Sequence, residues 1–536
     1  MFEILDKDLA GRIGRLKTRR GYIETPYLFP VVNPFDKTIT ANDLKALGFS
    51  ALITNVLHVR RGYMQYGIKD VHELLGFDGP VMTDSGGYQL LVYGFINLTS
   101  REVIEIQEKM GSDIAVILDF PTGNTPYDEA KHRVDETLKR AEELMHLRVD
   151  RSILWVGPIQ GAPYLDLVEY CAQRMSSMDF DIYAIGSPTT VMEAYQYDFL
   201  VDLIYTAKRK LPLEKPIHLF GAGHPMMLSL AVALGCDLFD SASYILYAKE
   251  GRYLTPHGTY RVNELEYFPC SCPICSKYAP KDLMDMESEE RVKCIALHNL
   301  YSLLEELKKI KEAIKEGTLW DHVALRARSH PRLYSAFLKF KSLTKFLERL
   351  DPSTKPIISG LFVYDFMDIY RPKVKRHLRK LMLNCKDYFH DKVLVLLPKR
   401  EEARDFIEKL IKKLYDLKLL DRVSLAYYCH PYHLIPIELD GIYPLSQYEV
   451  PQMLDDMSKR FIAQNITKML IELKPRAIVL YNDNKVWGKT LIKVCRSSPY
   501  KFEFLNSDKP YEDLNDLNVL ESLICHFINQ QEEQRN

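Results

Sequence analysis

Residues 216–244 read PIHLFGAGHPMMLSLAVALGCDLFDSASY. A short apolar run, Ile217–Phe220, ends at Gly221. A helix-length segment follows, and a second run, Asp237–Phe239, ends at Asp240. Short, buried-looking runs separated by a helix read as parallel strands of βαβ units. The theme extends upstream through Ala51–Thr54, Pro80–Thr83, Ile114–Leu118, Ile153–Val156 and Ile182–Ile185, and a run near Tyr27–Val32 makes eight. Eight such units in about 240 residues predict an α/β fold of the (β/α)8 TIM-barrel type. A doubly wound open sheet is the alternative. Just after the runs stand Asp84, Asp119, Gln160, Gly186, Gly221 and Asp240. In a barrel these strand ends converge on one face, where active sites are built. Turn and cap chemistry explains any one of them, but six in succession, three of them aspartates, point to a site.

The chain has 536 residues, 47% of them apolar and 27% charged, which predicts several globular domains and excludes disorder as the main theme. Lys plus Arg number 71 against 72 Asp plus Glu, a net charge of -1, so a large RNA partner has to meet local basic patches. No stretch approaches 18 consecutive apolar residues, and the N-terminus lacks the apolar core of a signal peptide. The expected location is cytoplasmic, with no membrane partner. Ten cysteines in a chain this long are too sparse for a disulfide framework.

Apolar residues at near-3.6 spacing predict a helix over about Ser288–Glu316, stopped by Gly317, and another over about Pro331–Leu350. The segment DPSTKPIISG, residues 351–360, is a plausible boundary. Beyond it, strands at Val393–Leu397, Val423–Tyr428 and Ala477–Tyr481 alternate with helices near 400–416 and 453–474, which predicts a smaller α/β domain. The basic run from Arg371 to Lys380 contains no acid and reads equally as a phosphate-contacting surface or a solvated helix face.

Cys270-Ser-Cys272-Pro-Ile-Cys275 is followed 22 residues later by His298. Three thiolates and an imidazole make a closed tetrahedral zinc site, and a closed shell leaves no position for substrate, so one structural Zn2+ per chain is expected. An iron–sulfur cluster and a coincidental grouping are the alternatives. Cys294, one turn before His298, is a competing ligand or a core residue.

Asp84-Ser-Gly-Gly-Tyr-Gln89 and Asp240-Ser-Ala-Ser-Tyr244 each place an acid just after a strand. Two carboxylates in one pocket can divide nucleophile and acid/base roles, because their surroundings push their pKa values apart. Glycosidic chemistry uses such a pair. Asp119 and Gln160 can read the hydrogen-bonding edge of a purine-like base, with backbone N–H groups near Gly186, and Tyr88 and Phe220 can sandwich a flat ring.

The motifs Asp84-Ser-Gly-Gly-Tyr-Gln, Gln160-Gly, His218-Leu-Phe-Gly-Ala-Gly223, Phe239-Asp240-Ser and the Cys3His group, in this order, resemble tRNA-guanine transglycosylases, over about residues 1–345. The additional C-terminal region is similar to the archaeal branch, which exchanges guanine at position 15 of the tRNA D-arm for 7-cyano-7-deazaguanine. The resemblance implies a catalytic barrel over 1–345 with a zinc subdomain at about 262–316, then a C-terminal α/β region over 346–536 with no clear RNA-binding PUA domain. It implies Asp240 as the nucleophile that forms a covalent aspartyl-ribose intermediate, and Asp84 as general acid/base, although both assignments of these roles exist in the family. It further implies base recognition by Asp119, Gln160, Gly186 and Ser187, stacking by Tyr88 and Phe220, tRNA and guanine or 7-cyano-7-deazaguanine as substrates, and a homodimer. Gly186-Ser187-Pro188 departs from the family's Gly-Gly or Gly-Ala turn, and Gln160-Gly-Ala from its Gln-Gly-Gly, which bears on the specificity for the incoming base. Action on another RNA position or on DNA, a non-catalytic RNA-binding subunit, and an ordinary glycoside hydrolase are the competing readings.

Overall fold

The computed structural model describes residues 1–87, 98–356 and 359–535. The chain forms two compact units, residues 1–340 with 350–357, and residues 341–349 with 358–536.

The first unit begins with an antiparallel sheet, β1 (Phe2–Asp8), β2 (Gly11–Thr18) and β3 (Gly21–Thr25), which sequence reading did not anticipate. Eight parallel strands follow: β4 (Tyr27–Pro30), β5 (Leu52–Asn55), β6 (Val81–Asp84), β7 (Ile114–Val116), β8 (Leu154–Ile159), β9 (Ile182–Ile185), β10 (Ile217–Leu219) and β11 (Leu238–Ser241). Each pairs with its neighbour, β11 returns to β4, and a Val31–Ile53 bridge closes β4 onto β5. This is a (β/α)8 barrel. Nearly every strand residue is buried, which is why these strands read as short apolar runs without alternation. Ion pairs tie the N-terminal sheet to the residues that lead into the strands: Arg12 pairs with Asp237 just before β11, and Arg19 with Asp113 just before β7.

A hairpin, β12 (Arg252–Thr255) and β13 (Gly258–Arg261), precedes the cysteine segment. The helix Ser288–Glu316 forms over the expected residues and ends at Gly317, whose φ of 78° is the left-handed cap that glycine favours. The expected helix over 331–350 is instead two helices, Pro331–Leu338 and Phe340–Leu350. The turn falls at Lys339, where neither Gly nor Pro signals a stop, and the Lys339 ammonium reaches Asp202.

In the second unit a short strand, β14 (Leu361–Phe362), pairs with β18 (Tyr448–Glu449), and five strands form a mixed sheet in the order β17-β16-β15-β19-β20. These are β15 (Val393–Pro398), β16 (Val423–Cys429), β17 (His433–Pro436), β19 (Ala477–Asp483) and β20 (Lys501–Ser507); only β17 runs antiparallel. Helices Ala403–Asp416 and Leu514–Arg535 pack together, as do Asp456–Leu473 and Thr490–Ser497. The basic run is largely spent inside this unit. Arg371 and Arg376 are buried, Arg371 bonds Asp368, Arg376 bonds the Glu348 carbonyl, and Lys375 lies 4.5 Å from the Tyr370 ring centroid. That geometry favours an internal scaffold over a phosphate-binding surface.

Candidate active site and metal centre

The C-terminal ends of the barrel strands open into a cavity of about 950 Å³ whose walls include Asp84, Asp119, Gln160, Ser187, Phe220 and Asp240. The strand-end residues therefore converge as the barrel reading requires.

Asp84 closes β6 beside Asn55, the last residue of β5, because the two are register partners. The Asn55 amide donates to Asp84 Oδ2 at 2.9 Å, and the Gly86 N–H donates to the same oxygen at 3.2 Å. Burial, and then the charges of Asp119 and Asp240, push the Asp84 carboxyl up to about 7. Asp119 is 6% exposed, and burial raises it to about 6 despite its bond from Gln160.

Asp119 and Gln160 form one hydrogen-bonded unit. Gln160 Nε2 donates to Asp119 Oδ2 at 2.6 Å, and Gln160 Oε1 accepts from Ser187 Oγ at 2.8 Å. Ser187 sits at φ 56°, a left-handed conformation that costs a non-glycine residue about 1–2 kcal/mol. Its hydroxyl donates to the Gln160 amide oxygen and so holds the amide N–H toward Asp119. The Gly186 N–H is already spent on the Ile159 carbonyl, so Ser187 supplies the unspent backbone N–H at this turn among the described residues.

Two glycines here answer to close approach. A Cβ on Gly87 would stand 2.1 Å from Asp119 Oδ1, and one on Gly186 would stand 2.3 Å from Gln160 Nε2. Gly186→Ala is therefore expected to displace the Gln160 amide from Asp119 and, if this pair reads a base as the sequence resemblance implies, to raise KM for the free base at least about tenfold. The melting temperature should stay within a few degrees. Steady-state kinetics with varied base checks this, and an unchanged KM would remove Gln160 from base recognition.

Asp240, at the mouth of β11, has its Oδ1 bonded by His218 Nε2 at 2.8 Å and by the Gly221 N–H at 3.0 Å. Gly221 adopts φ 65°, which turns its N–H toward that oxygen. Phe220 lines the cavity and meets the His218 ring edge-on at 4.8 Å. Tyr88 lies in residues 88–97, outside the described residues. Sequence reasoning assigned no role to Asn55 or His218. Asn55 follows its strand as the predicted acids follow theirs, and His218 is the one titratable residue within β10, so both carried a readable signal.

Cys270, Cys272, Cys275 and His298 bring one ligand atom each within 4.8 Å of one another. His298 Nδ1 stands 3.3 Å from Cys275 Sγ and 3.5 Å from Cys272 Sγ, while its Nε2 donates to the Leu254 carbonyl at 2.9 Å. That outer bond fixes the tautomer that leaves Nδ1 as a ligand. Tyr253 stacks on His298 with ring centroids 3.5 Å apart. The spacing fits a metal ion held by three sulfurs and one nitrogen. Cys294 is buried outside this group.

The family model for queuine tRNA-ribosyltransferases matches residues 7–332. The chain is 44% identical to the tRNA-guanine(15) transglycosylase of Saccharolobus solfataricus over 484 residues, which is 86% of this chain and 94% of that relative. It is 39% identical to the enzyme of the same name from Methanococcus aeolicus over 539 residues, 96% of this chain and 80% of the relative. With Thermococcus onnurineus it shares 46% over 361 residues, 66% of this chain and 61% of that protein. No helix of the described residues is long and apolar enough to cross a membrane. With a barrel whose strand ends gather three aspartates and a glutamine, a Cys3His cluster, and a match of this extent, the chain belongs to the queuine tRNA-ribosyltransferase family.

Proposed function

We propose that this protein is a tRNA-guanine transglycosylase that exchanges guanine at position 15 of the tRNA D-arm for 7-cyano-7-deazaguanine. The observation that carries the chemistry is the pairing in one cavity of a hydrogen-bonded Asp240 with an Asp84 whose proton affinity is raised. The position and the incoming base rest on the names of the relatives.

In this reading Asp240 attacks C1′ of the target ribose. The C1′–N9 bond breaks, guanine leaves with a proton delivered by Asp84, and an aspartyl-ribose ester holds the tRNA. The incoming base then gives its N9 proton to Asp84 and displaces Asp240. Atoms balance without ATP or a redox partner. Asp119, Gln160 and the Ser187 N–H read the base edge, Gly186 leaves room for the Gln160 amide, and Phe220, with Tyr88, stacks on the ring. The target nucleotide has to be extruded from the folded tRNA, because C1′ is otherwise out of reach.

The Cys3His group holds a structural Zn2+ in this reading, and the ion supplies cross-linking rather than chemistry. We assign the reaction to residues 1–345, with the zinc subdomain at about 262–316, and treat residues 346–536 as the archaeal-type C-terminal region. A cytoplasmic homodimer completes the reading, on the strength of the family resemblance.

Radiolabelled guanine should enter unmodified tRNA transcripts and fail to enter transcripts lacking the guanine at position 15. Equal incorporation into both would move the target site, and none into either would overturn the reading. The raised Asp84 carboxyl adds a pH signature. The first half-reaction needs its protonated form and the second its anion, so kcat/KM for tRNA should fall above about pH 7 and kcat/KM for the incoming base should fall below it. A flat profile between about pH 5.5 and 8.5 would take Asp84 out of proton transfer.

A further inference from the structure

We propose that His218 is a positioning residue for the nucleophile: its Nε2 pins Asp240 through Oδ1, so that Oδ2 is the oxygen that attacks C1′. The inference deepens the reading above and rests on it.

His218 lies in the middle of β10 and is 0% exposed. Its Nε2 and the Gly221 N–H both meet Asp240 Oδ1, at 2.8 and 3.0 Å, and among the described residues no donor meets Oδ2. The carboxylate is thus tethered by one oxygen, while Asp240 remains a wall of the cavity. The imidazole is itself held in place. Phe29 stacks on it at 5.9 Å and 24°, and Phe220 meets it edge-on at 60°.

Nδ1 is buried and has no hydrogen-bond partner among the described residues. The ring is therefore tied to Asp240 by Nε2, which acts as the donor to the carboxylate oxygen. The same two donors receive the charge when Asp240 leaves in the second half-reaction.

Three variants separate positioning from packing. His218→Phe keeps the ring and removes the donor. His218→Gln places an amide N–H about where Nε2 stands, and His218→Asn falls short of it. Expected are a kcat lowered about 10- to 100-fold for Phe and Asn, KM for tRNA and for guanine within about threefold of wild type, and most of the loss recovered in Gln. Formation of the covalent tRNA adduct in a single turnover should slow by the same factor. Melting curves identify a variant that does not fold, and if Phe is lost in this way the Gln–Asn comparison decides. A folded Phe or Asn variant with wild-type kcat, a loss confined to KM, or a folded Gln variant no better than Asn would overturn the proposal. Wild-type protein that exchanges no base overturns the functional reading and this inference with it. Active wild type with an indifferent His218 overturns the inference alone.

Discussion

Asp240→Asn is expected to lower base exchange by at least about 10⁴-fold while leaving the protein folded. The amide is nearly isosteric, and its oxygen can still accept from His218 and the Gly221 N–H, so the β10–β11 side of the cavity keeps its hydrogen bonds. What it loses is the anion that, in the proposed mechanism, forms the bond to C1′. Wild type incubated with tRNA and no free base should yield a protein–RNA band that survives denaturing electrophoresis, and Asp240→Asn should yield none. Asp84→Asn gives the complementary outcome, since it removes the proton carrier and not the nucleophile. Should Asp84→Asn abolish the adduct while Asp240→Asn retains it, the two roles are exchanged.

Loss of the zinc proposed for the Cys3His group is the second large effect. Cys275→Ala, or prolonged chelation, is expected to abolish stoichiometric zinc and to lower the melting temperature by about 10 °C or more. Zinc bound by such ligands supplies about 10–16 kcal/mol of apparent free energy in zinc-finger peptides, and most of it is folding energy. Here three ligands come from a six-residue loop with little core of its own: Pro273–Lys277 has no buried residue. The fourth ligand, His298, belongs to the helix that packs against β12. Without the metal, the loop is left with weak contacts, among them those of the Tyr253 hydroxyl and His298 Nδ1 with Cys275 Sγ, and short-range backbone bonds. Metal analysis and calorimetry decide this. A variant free of zinc with unchanged melting would make the cluster a plain group of thiols.

Much of the barrel was legible because parallel strands buried on both faces are short apolar runs, and each ends where the chain has to turn. Ile182–Ile185 was read to the residue, and the helix expected over about Ser288–Glu316 forms there, because Gly317 marks its end. The antiparallel sheet β1–β3 was not legible. Its apolar and charged residues do not sort by face: Leu16 and Ile23 are buried, but so are Asp8 and Arg12, while Ile4, Leu5 and Tyr22 are exposed, which leaves no regular apolar alternation. The break at Lys339 was hidden for a similar reason, since it lies in a run of good helix formers.

The sequence by itself determined the repeating units, the identity of the acids at the strand ends and the Cys-x-Cys-x2-Cys spacing, since all of these are local properties of the chain. Only the tertiary structure decided which strand-end groups face one another. Parallel pairing of neighbouring strands makes Asn55 a partner of Asp84, brings Asp119 to Gln160 across 41 residues of sequence, and sets His218 against Asp240. It also decided the raised proton affinity of Asp84 and the spent N–H of Gly186. The reason is physical. A carboxyl group's pKa and a donor's availability depend on burial and on neighbours brought from elsewhere in the chain, and no local pattern of residues encodes either.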